Sequence, residues 1–197
     1  MFVLYLGLVG FFAFTVGVGI LGLWLRRHPS KINAERSSRI MHSLFFAGLV
    51  APGVVMLVYP GLTQLDGLVG VKPLPSSTII LIVGILFAFI GLYLLGNSNK
   101  LLRAQGNGAN AFRLTDRIVE TDIYQRTRNP MSLGYYLWSL SLGLISGSAF
   151  VTIVVLLGFI PAHVFFLKYF EEFELELRFG EAYRQYKEKV PFLIPGL

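Results

Sequence analysis

The sequence contains no cysteine and few charged residues. None of its 197 residues is a cysteine, which excludes disulfide bonds, thiolate metal sites and a cysteine nucleophile. Charged side chains make up 14% of the chain, against about 25% in an average soluble domain. Because 54% of the residues are hydrophobic, the composition excludes an ordinary soluble protein and indicates a membrane protein.

Recognisable metal and nucleotide motifs are also missing. The three histidines, His28, His42 and His163, show no ligand spacing, and we expect no metal site. His42 and His163 lie within or near membrane segments, where an ionisable group suggests a functional role. The alternative is that each is a neutral histidine that bonds to a neighbouring helix. The net charge is +6, which we assign to contacts with anionic lipid headgroups rather than nucleic acid.

Three stretches without a charged residue are long enough to cross a membrane. They run over residues 1–25, 40–65 and 73–99, and about 20 apolar residues suffice for a core of about 30 Å. The uncharged stretch 129–167 would form a single helix of roughly 58 Å, nearly twice that core. Since Ser146, Gly147 and Ser148 interrupt it, we predict a helical hairpin with limbs near 130–145 and 149–168.

The distribution of basic residues favours five membrane helices. With five, every lysine and arginine except Lys72 faces the cytoplasm, as the positive-inside rule requires, whereas four would leave the basic tail outside. We therefore predict an all-α integral membrane protein with its N-terminus outside and its C-terminus in the cytoplasm. It forms one domain over 1–197, with N-terminal helices in 1–95 and a core in 96–197, and residues 96–128 form its longest cytoplasmic loop.

Arg128, Asn129 and Pro130 predict a helix start at the membrane surface. Asn129 suits the capping position and Pro130 the first helical position. The free N–H groups and Arg128 together form a potential anion site. A capped helix with an ordinary basic flank is the alternative interpretation.

A cluster of glutamates follows the second limb of the hairpin. Glu171 and Glu174 share one helical face, and Glu172 and Glu176 share another. Such a pair could hold a cationic group, and a solvated face pairing with Arg178 and Lys187 is the alternative. We predict that this tail is a helix over 171–189, broken only at Gly180. Its Tyr183 and Tyr186 are expected at the level of the lipid headgroups.

These motifs together resemble one family. Residues 128–134 (RNPMSLG) resemble the Arg-His/Asn-Pro-Met-Tyr-x-Gly signature of the isoprenylcysteine carboxyl methyltransferase and phospholipid methyltransferase superfamily. Residues 117–124 (RIVETDIY) are similar to its Arg-Leu-Val-x-x-Gly-x-Tyr segment. The later EE (171–172), FGEAYRQY (179–186), VP (190–191) and IP (194–195) resemble its C-terminal motifs. The resemblance covers residues 96–197.

The resemblance implies an S-adenosylmethionine (SAM)-dependent methyltransferase, with the cytoplasmic loop and the C-terminal helix forming the cofactor site. It makes Arg128 and Glu172 the candidate catalytic residues. The expected cofactor-binding residues are Ile118, Val119, Tyr124, Arg128, Asn129, Pro130, Leu133, Gly134, Glu171 and Glu172.

Three residues depart from the family pattern. Asn129 stands where many members have His, Ser132 replaces Tyr, and Asp122 replaces Gly. Asn cannot act as a base near neutral pH, so a carboxylate acceptor, which needs no deprotonation, is slightly favoured over an amine.

We expect the acceptor to be lipophilic or lipid-linked, and prenylated peptides, phospholipids and quinone-like lipids all remain candidates. The competing hypotheses are an NADPH-dependent membrane reductase of related architecture and a non-catalytic membrane scaffold.

Overall fold

The computed structural model describes residues 1–59, 61–108 and 114–194. Within these ranges the chain is helical and forms no strand. Residues 109–113 of the predicted loop and Pro195 of the last motif lie outside the described residues. The helices are α1 (Phe2–Arg27), α2 (Lys31–Val58), α3 (Leu62–Val69), α4 (Thr78–Gln105), α5 (Pro130–Ser146), α6 (Ala149–Phe179) and α7 (Glu181–Lys189).

Four of the helices in the described ranges are long and apolar enough to cross a membrane, namely α1, α2, α4 and α6. Helix α5 has 17 residues, a length of about 25 Å at 1.5 Å per residue. It falls just short of a hydrocarbon core of about 30 Å. Length and composition therefore identify four spans, and the fifth predicted span depends on whether α5 crosses the membrane.

Helices α5 and α6 form the hairpin that the sequence predicts. Gly147 adopts a left-handed φ of 70°, a conformation that favours glycine, and the Ser148 hydroxyl accepts a hydrogen bond from the Val151 N–H. The buried Asp66 carboxylate of α3 accepts hydrogen bonds from the Ser148 hydroxyl at 3.1 Å and the Phe150 N–H at 2.6 Å. Helix α3 is thereby fastened to the hairpin turn.

Helix α6 continues 31 residues without a break. The predicted second limb and the first part of the predicted tail helix are one element, which includes π-helical segments at Val154–Phe159 and Leu167–Glu171. It ends where the sequence predicts, at Gly180, whose φ of 60° favours glycine. The tail then continues as α7.

Two helix contacts organise the bundle. Helices α1, α2 and α6 share an apolar core that includes Phe14, Met41 and Phe166. Helices α4 and α5 approach closely at Gly91 and Gly134: a Cβ on Gly134 would lie 2.9 Å from the Gly91 carbonyl oxygen. Small residues at such crossings let two membrane helices pack backbone to backbone.

The predicted start of the longest loop is wrong. Helix α4 continues through Gly96 to Gln105, so residues 96–105 are helical rather than part of a loop. The polar residues of this stretch misled the prediction because one of them, Ser98, is fully buried against protein instead of facing water. The proposed division at residues 95 and 96 also falls inside this helix.

The basic helix ends collect on one side of the bundle. Arg26, at the end of α1, donates a hydrogen bond of 2.6 Å to the Tyr169 carbonyl oxygen of α6. Arg128, just before α5, donates to the carbonyl oxygen of Lys187 in α7. The end of α1, the start of α5 and the tail after α6 therefore meet, at the end of α6 opposite to the contact with Asp66.

Candidate active site

Arg128 and Glu172 form the ion pair that fastens the start of α5 to α6. Arg128 Nη2 donates to Glu172 Oε1 at 2.8 Å, and both side chains are largely buried. Lys187 of α7 contacts the other carboxylate oxygen at 2.9 Å. Partial burial lowers the pKa of Lys187, but its hydrogen bonds to Glu172 and Glu176 outweigh that effect and raise the pKa above its ordinary value. Glu172 thus holds two cations together.

A second ion pair lies deeper in the protein. Arg178 Nη1 donates to Glu174 Oε1 at 2.9 Å, and the two side chains are only 6% and 2% exposed. The other Nη of Arg178 donates to the carbonyl oxygen of Thr115. The solvated-face interpretation is therefore wrong for Glu174 and Arg178, which join α6 to the segment that follows α4.

Asn129 occupies the N-cap position of α5, as predicted, but its side chain forms no capping hydrogen bond with the helix. Its side-chain amide donates instead to the Phe192 carbonyl oxygen at 2.9 Å, while the Arg128 N–H donates to the Pro191 carbonyl oxygen at 3.0 Å. Pro130 occupies the start of the helix as predicted. Asn129 therefore ties the C-terminal segment to the start of α5.

The tyrosines of α7 face inward. Tyr183 and Tyr186 are 4% and 6% exposed, so their predicted position at the lipid headgroups is wrong. The Tyr186 hydroxyl donates to the Tyr124 carbonyl oxygen at 2.7 Å. Burial is the main cause that raises the pKa of Tyr124, Tyr183 and Tyr186, which keeps these hydroxyls protonated as hydrogen-bond donors.

A cavity of about 620 Å³ lies between α2, α4, α5, α6 and the segment 114–124. Its lining is charged where the basic helix ends meet and apolar deeper in the bundle. The charged end includes Arg117, Arg128, Glu171, Glu174 and Arg178. The apolar end includes Phe45, Phe46, Leu92, Leu95, Met131 and Phe166.

Glu171 differs from the other charged groups in the cavity wall. Arg128 and Arg178 are paired with Glu172 and Glu174. The Glu171 carboxylate forms no hydrogen bond or ion pair with the part of the chain that the structure describes. It is therefore available to a cationic group that enters the cavity.

Most of the predicted site residues surround this cavity. Leu133 and Gly134 lie outside its lining, and Gly134 packs against α4. Glu172 lies behind the wall, bonded to Arg128. The predicted residues that line the cavity are Ile118, Val119, Tyr124, Arg128, Asn129, Pro130 and Glu171.

The cavity also contains polar residues that the sequence did not assign to a site. Ser38 and His42 come from α2, Asn99 from α4 and His163 from α6. The His163 Nδ1 bonds to the Tyr136 hydroxyl at 2.9 Å, as the neighbouring-helix interpretation predicts. His42 and Asn99 each have a buried polar atom with no hydrogen-bond partner among the described residues. The positions of His42 and His163 inside apolar runs were the only sequence signals for any of them.

A comparison with known protein families agrees with the family resemblance of the motifs. The sequence model of the phospholipid methyltransferase family matches residues 79–182, more than half of the chain. The match covers nearly all of α4 and all of α5 and α6. It begins at residue 79, before the start of the predicted resemblance at residue 96, and it ends at residue 182, before the last motifs of that resemblance. No curated protein and no solved structure matches the chain. The chain belongs to the phospholipid methyltransferase family, within the superfamily of membrane methyltransferases that its motifs resemble.

Proposed function

We propose that this protein is a SAM-dependent methyltransferase that modifies a lipophilic or lipid-linked acceptor at the cytoplasmic membrane face. The observation that carries the proposal is the cavity, which is charged at one end and apolar at the other. A water-soluble donor and a membrane-borne acceptor differ in polarity in the same way. A chain of the phospholipid methyltransferase family with such a cavity can bring the two together.

The residues of the charged end fit the proposed donor. A volume of about 620 Å³ lies within the roughly 300–1,000 Å³ usual for ligand pockets. Glu171, which is unpaired within the described residues, suits the positive groups of SAM. Arg117 and the Nε of Arg128, which has no hydrogen-bond partner among those residues, suit the carboxylate of SAM. Ile118, Val119 and Tyr124 offer the apolar and aromatic surface that an adenine ring needs.

The proposed chemistry asks the protein mainly for alignment. A bound sulfonium donor supplies an electrophilic methyl group, and the transfer is an in-line displacement that depends on orientation and on exclusion of water. In this proposal Arg128 orients the acceptor or the donor carboxylate. Glu172 acts through the position of Arg128, to which it is bonded at 2.8 Å.

We propose α5 as the fifth membrane crossing. Its 17 residues meet the lower limit of about 17 for a span, and it packs along α4 at Gly134. The contacts of Arg26 and Arg128 with the end of α6 and the tail support a single basic side. By the positive-inside rule that side is cytoplasmic, which leaves the N-terminus outside.

A labelled-methyl assay tests the proposed function. Purified protein is incubated with SAM carrying a labelled methyl group and with fractionated native membrane lipids. We expect label in a lipid fraction, and a rate about 10²-fold lower in Glu172→Gln, since a misplaced Arg128 disturbs alignment. Absence of transfer with tight NADPH binding would instead support the reductase. An inert protein whose cellular function survives Arg128→Ala and Glu172→Ala would support the scaffold.

A further inference from the structure

The charged and apolar ends of the cavity meet at the level of His42. Ser38, His42 and Phe45 lie on one face of α2, at spacings of four and three residues. Ser38 lies beside Glu174 of α6, and the Phe45 ring lies 5.0 Å from the ring of His163. Because α2 and α6 are antiparallel, His42 lies between these two contacts, level with the middle of the cavity.

The donor and the acceptor must react at this level. The charged end would hold the polar donor and the apolar end the lipid chain, so the reacting atoms meet where the two linings join. Asn99 of α4 also lines the cavity, and Glu171, Glu174 and Arg178 belong to its charged end. A group that exchanges a proton with the acceptor has to be here.

His42 is free to make that exchange. Neither of its ring nitrogens has a hydrogen-bond partner within the described residues, and its Nδ1 is fully buried. Buried polar groups without a partner are rare, and each requires an explanation. His163 offers a contrast in the same cavity, because its Nδ1 is bonded to the Tyr136 hydroxyl at 2.9 Å and its ring contacts Phe159 and Phe166.

The other groups near the boundary are less suited to take a proton. The amide of Asn129 is not a base and is bonded to the Phe192 carbonyl oxygen. Glu172 and Glu174 are held by Arg128 and Arg178. Glu171 is the carboxylate that the proposed function assigns to the positive groups of the donor. The unpartnered imidazole is therefore the base that the cavity offers.

We propose that His42 is the catalytic base, and that the acceptor is a lipid whose reactive atom carries a proton, an amine or a phenol rather than a carboxylate. This rests on the proposed function. The N–H or O–H bond of the acceptor breaks and its proton passes to a ring nitrogen of His42. The released electron pair bonds to the methyl carbon as the methyl–sulfur bond breaks, and that bond's electron pair stays on sulfur.

The chemistry of the product tests the acceptor class without any variant. Membranes containing the protein are labelled with methyl-labelled SAM, and the lipids are treated with mild alkali. A methyl ester releases its label as volatile methanol, whereas an N-methyl group or an aryl methyl ether retains it. We expect the label to stay non-volatile, and release of most of the label as methanol would overturn the proposal.

A pair of histidine variants tests the role of His42. General base catalysis contributes about 10²–10⁴-fold, so His42→Gln should lower kcat by about that factor while leaving the KM for SAM and the affinity for S-adenosylhomocysteine unchanged. His28→Gln is the matched control, because His28 is exposed at the end of α1, where its ring bonds to the Trp24 carbonyl oxygen. It should keep the wild-type rate.

The remaining outcomes are also decisive. His42→Gly should regain activity when imidazole is added, which a purely structural role for His42 would not permit. Full activity of His42→Gln on the native acceptor would exclude His42 as the base while leaving the proposed function standing. If the wild type transfers no methyl group to any native lipid, the proposed function fails and this inference fails with it.

Discussion

Glu172 is the residue on which the charged end of the cavity depends. Its carboxylate contacts Arg128 at 2.8 Å and Lys187 at 2.9 Å, from two different elements. Removing one partner of a buried ion pair is costly because a buried charge is left uncompensated. Its importance for activity would then be indirect, through the position of Arg128.

Glu172→Gln should lower the free energy of unfolding by about 3 kcal/mol, the lower end of the range for breaking a buried pair. The matched control is Glu181→Gln. The ion pair of Glu181 with Arg184 has side chains that are 67% and 59% exposed, so its loss should cost at most about 1 kcal/mol. Unfolding in mixed micelles of increasing denaturing-detergent content measures both. Equal losses would contradict the structural role of Glu172.

The sequence predicted the residues of the charged end better than the polar residues His42 and Asn99, which come from the membrane helices. Arg128 and Glu171 are charges next to apolar runs, and such charges are visible in a sequence. His42 and Asn99 line the same cavity, but they lie on two helices distant from each other in the chain. Which helix faces which is decided by lateral packing, and hydropathy along one helix does not record it.

At the scale of the elements, Gly134 determines how closely α4 and α5 pack. The family resemblance placed Gly134 in the cofactor pocket, and that role stays a prediction. In the structure, a Cβ added at Gly134 would lie 2.9 Å from the Gly91 carbonyl oxygen and 3.0 Å from the Leu95 backbone nitrogen across the helix pair. A side chain there would separate the two helices that form one wall of the cavity.

Gly134→Ala should lower the free energy of unfolding by about 1–3 kcal/mol, the usual cost of overpacking. An added Cβ would lie 2.9 Å from the Gly91 carbonyl oxygen, whereas at Gly19 of α1 it would meet no atom within 4 Å in the part of the chain that the structure describes. Gly19→Ala is therefore the control and should be neutral or slightly stabilising. A Gly134→Ala protein as stable as Gly19→Ala would show that the close approach is unimportant.

The hairpin was predictable because its turn has a local signal, and the extent of α4 was not. Gly147 provides the left-handed φ that the turn needs, flanked by Ser146 and Ser148. In α4 the polar run that includes Ser98 looks like a loop but is helical. The burial of Ser98 is tertiary, so propensity and polarity gave the wrong boundary.

At the scale of the whole molecule, the number of crossings decides whether the tail faces the cytoplasm. The absence of cysteine makes each introduced cysteine a unique reporter. With five crossings, Lys72→Cys should react with a membrane-impermeant maleimide in intact cells, and Arg184→Cys should react only after the cells are permeabilised. Both positions are exposed. Labelling of Arg184→Cys in intact cells would show that α5 does not cross.

The same topology explains why the cavity has two chemically different ends. Its charged end lies where Arg128, Glu172 and Lys187 join three elements. Its apolar end lies among helices that are long and apolar enough to span the membrane. A site built in this way matches the water-soluble donor and the membrane-borne acceptor of the proposed function.

The most direct test of the central claim is a calorimetric titration of the purified protein with S-adenosylhomocysteine and, separately, with NADPH. Gly96 lines the cavity between Leu95 and Asn99, and a Cβ there would meet no atom of the described residues within 4 Å. Gly96→Phe should therefore fill the cavity where its charged and apolar ends meet, with Gly19→Phe as control. We predict that the protein binds S-adenosylhomocysteine at one site and does not bind NADPH. Gly96→Phe should weaken the affinity for S-adenosylhomocysteine at least tenfold, which corresponds to about 1.4 kcal/mol, and Gly19→Phe should leave it unchanged. Binding of NADPH without S-adenosylhomocysteine would contradict the account.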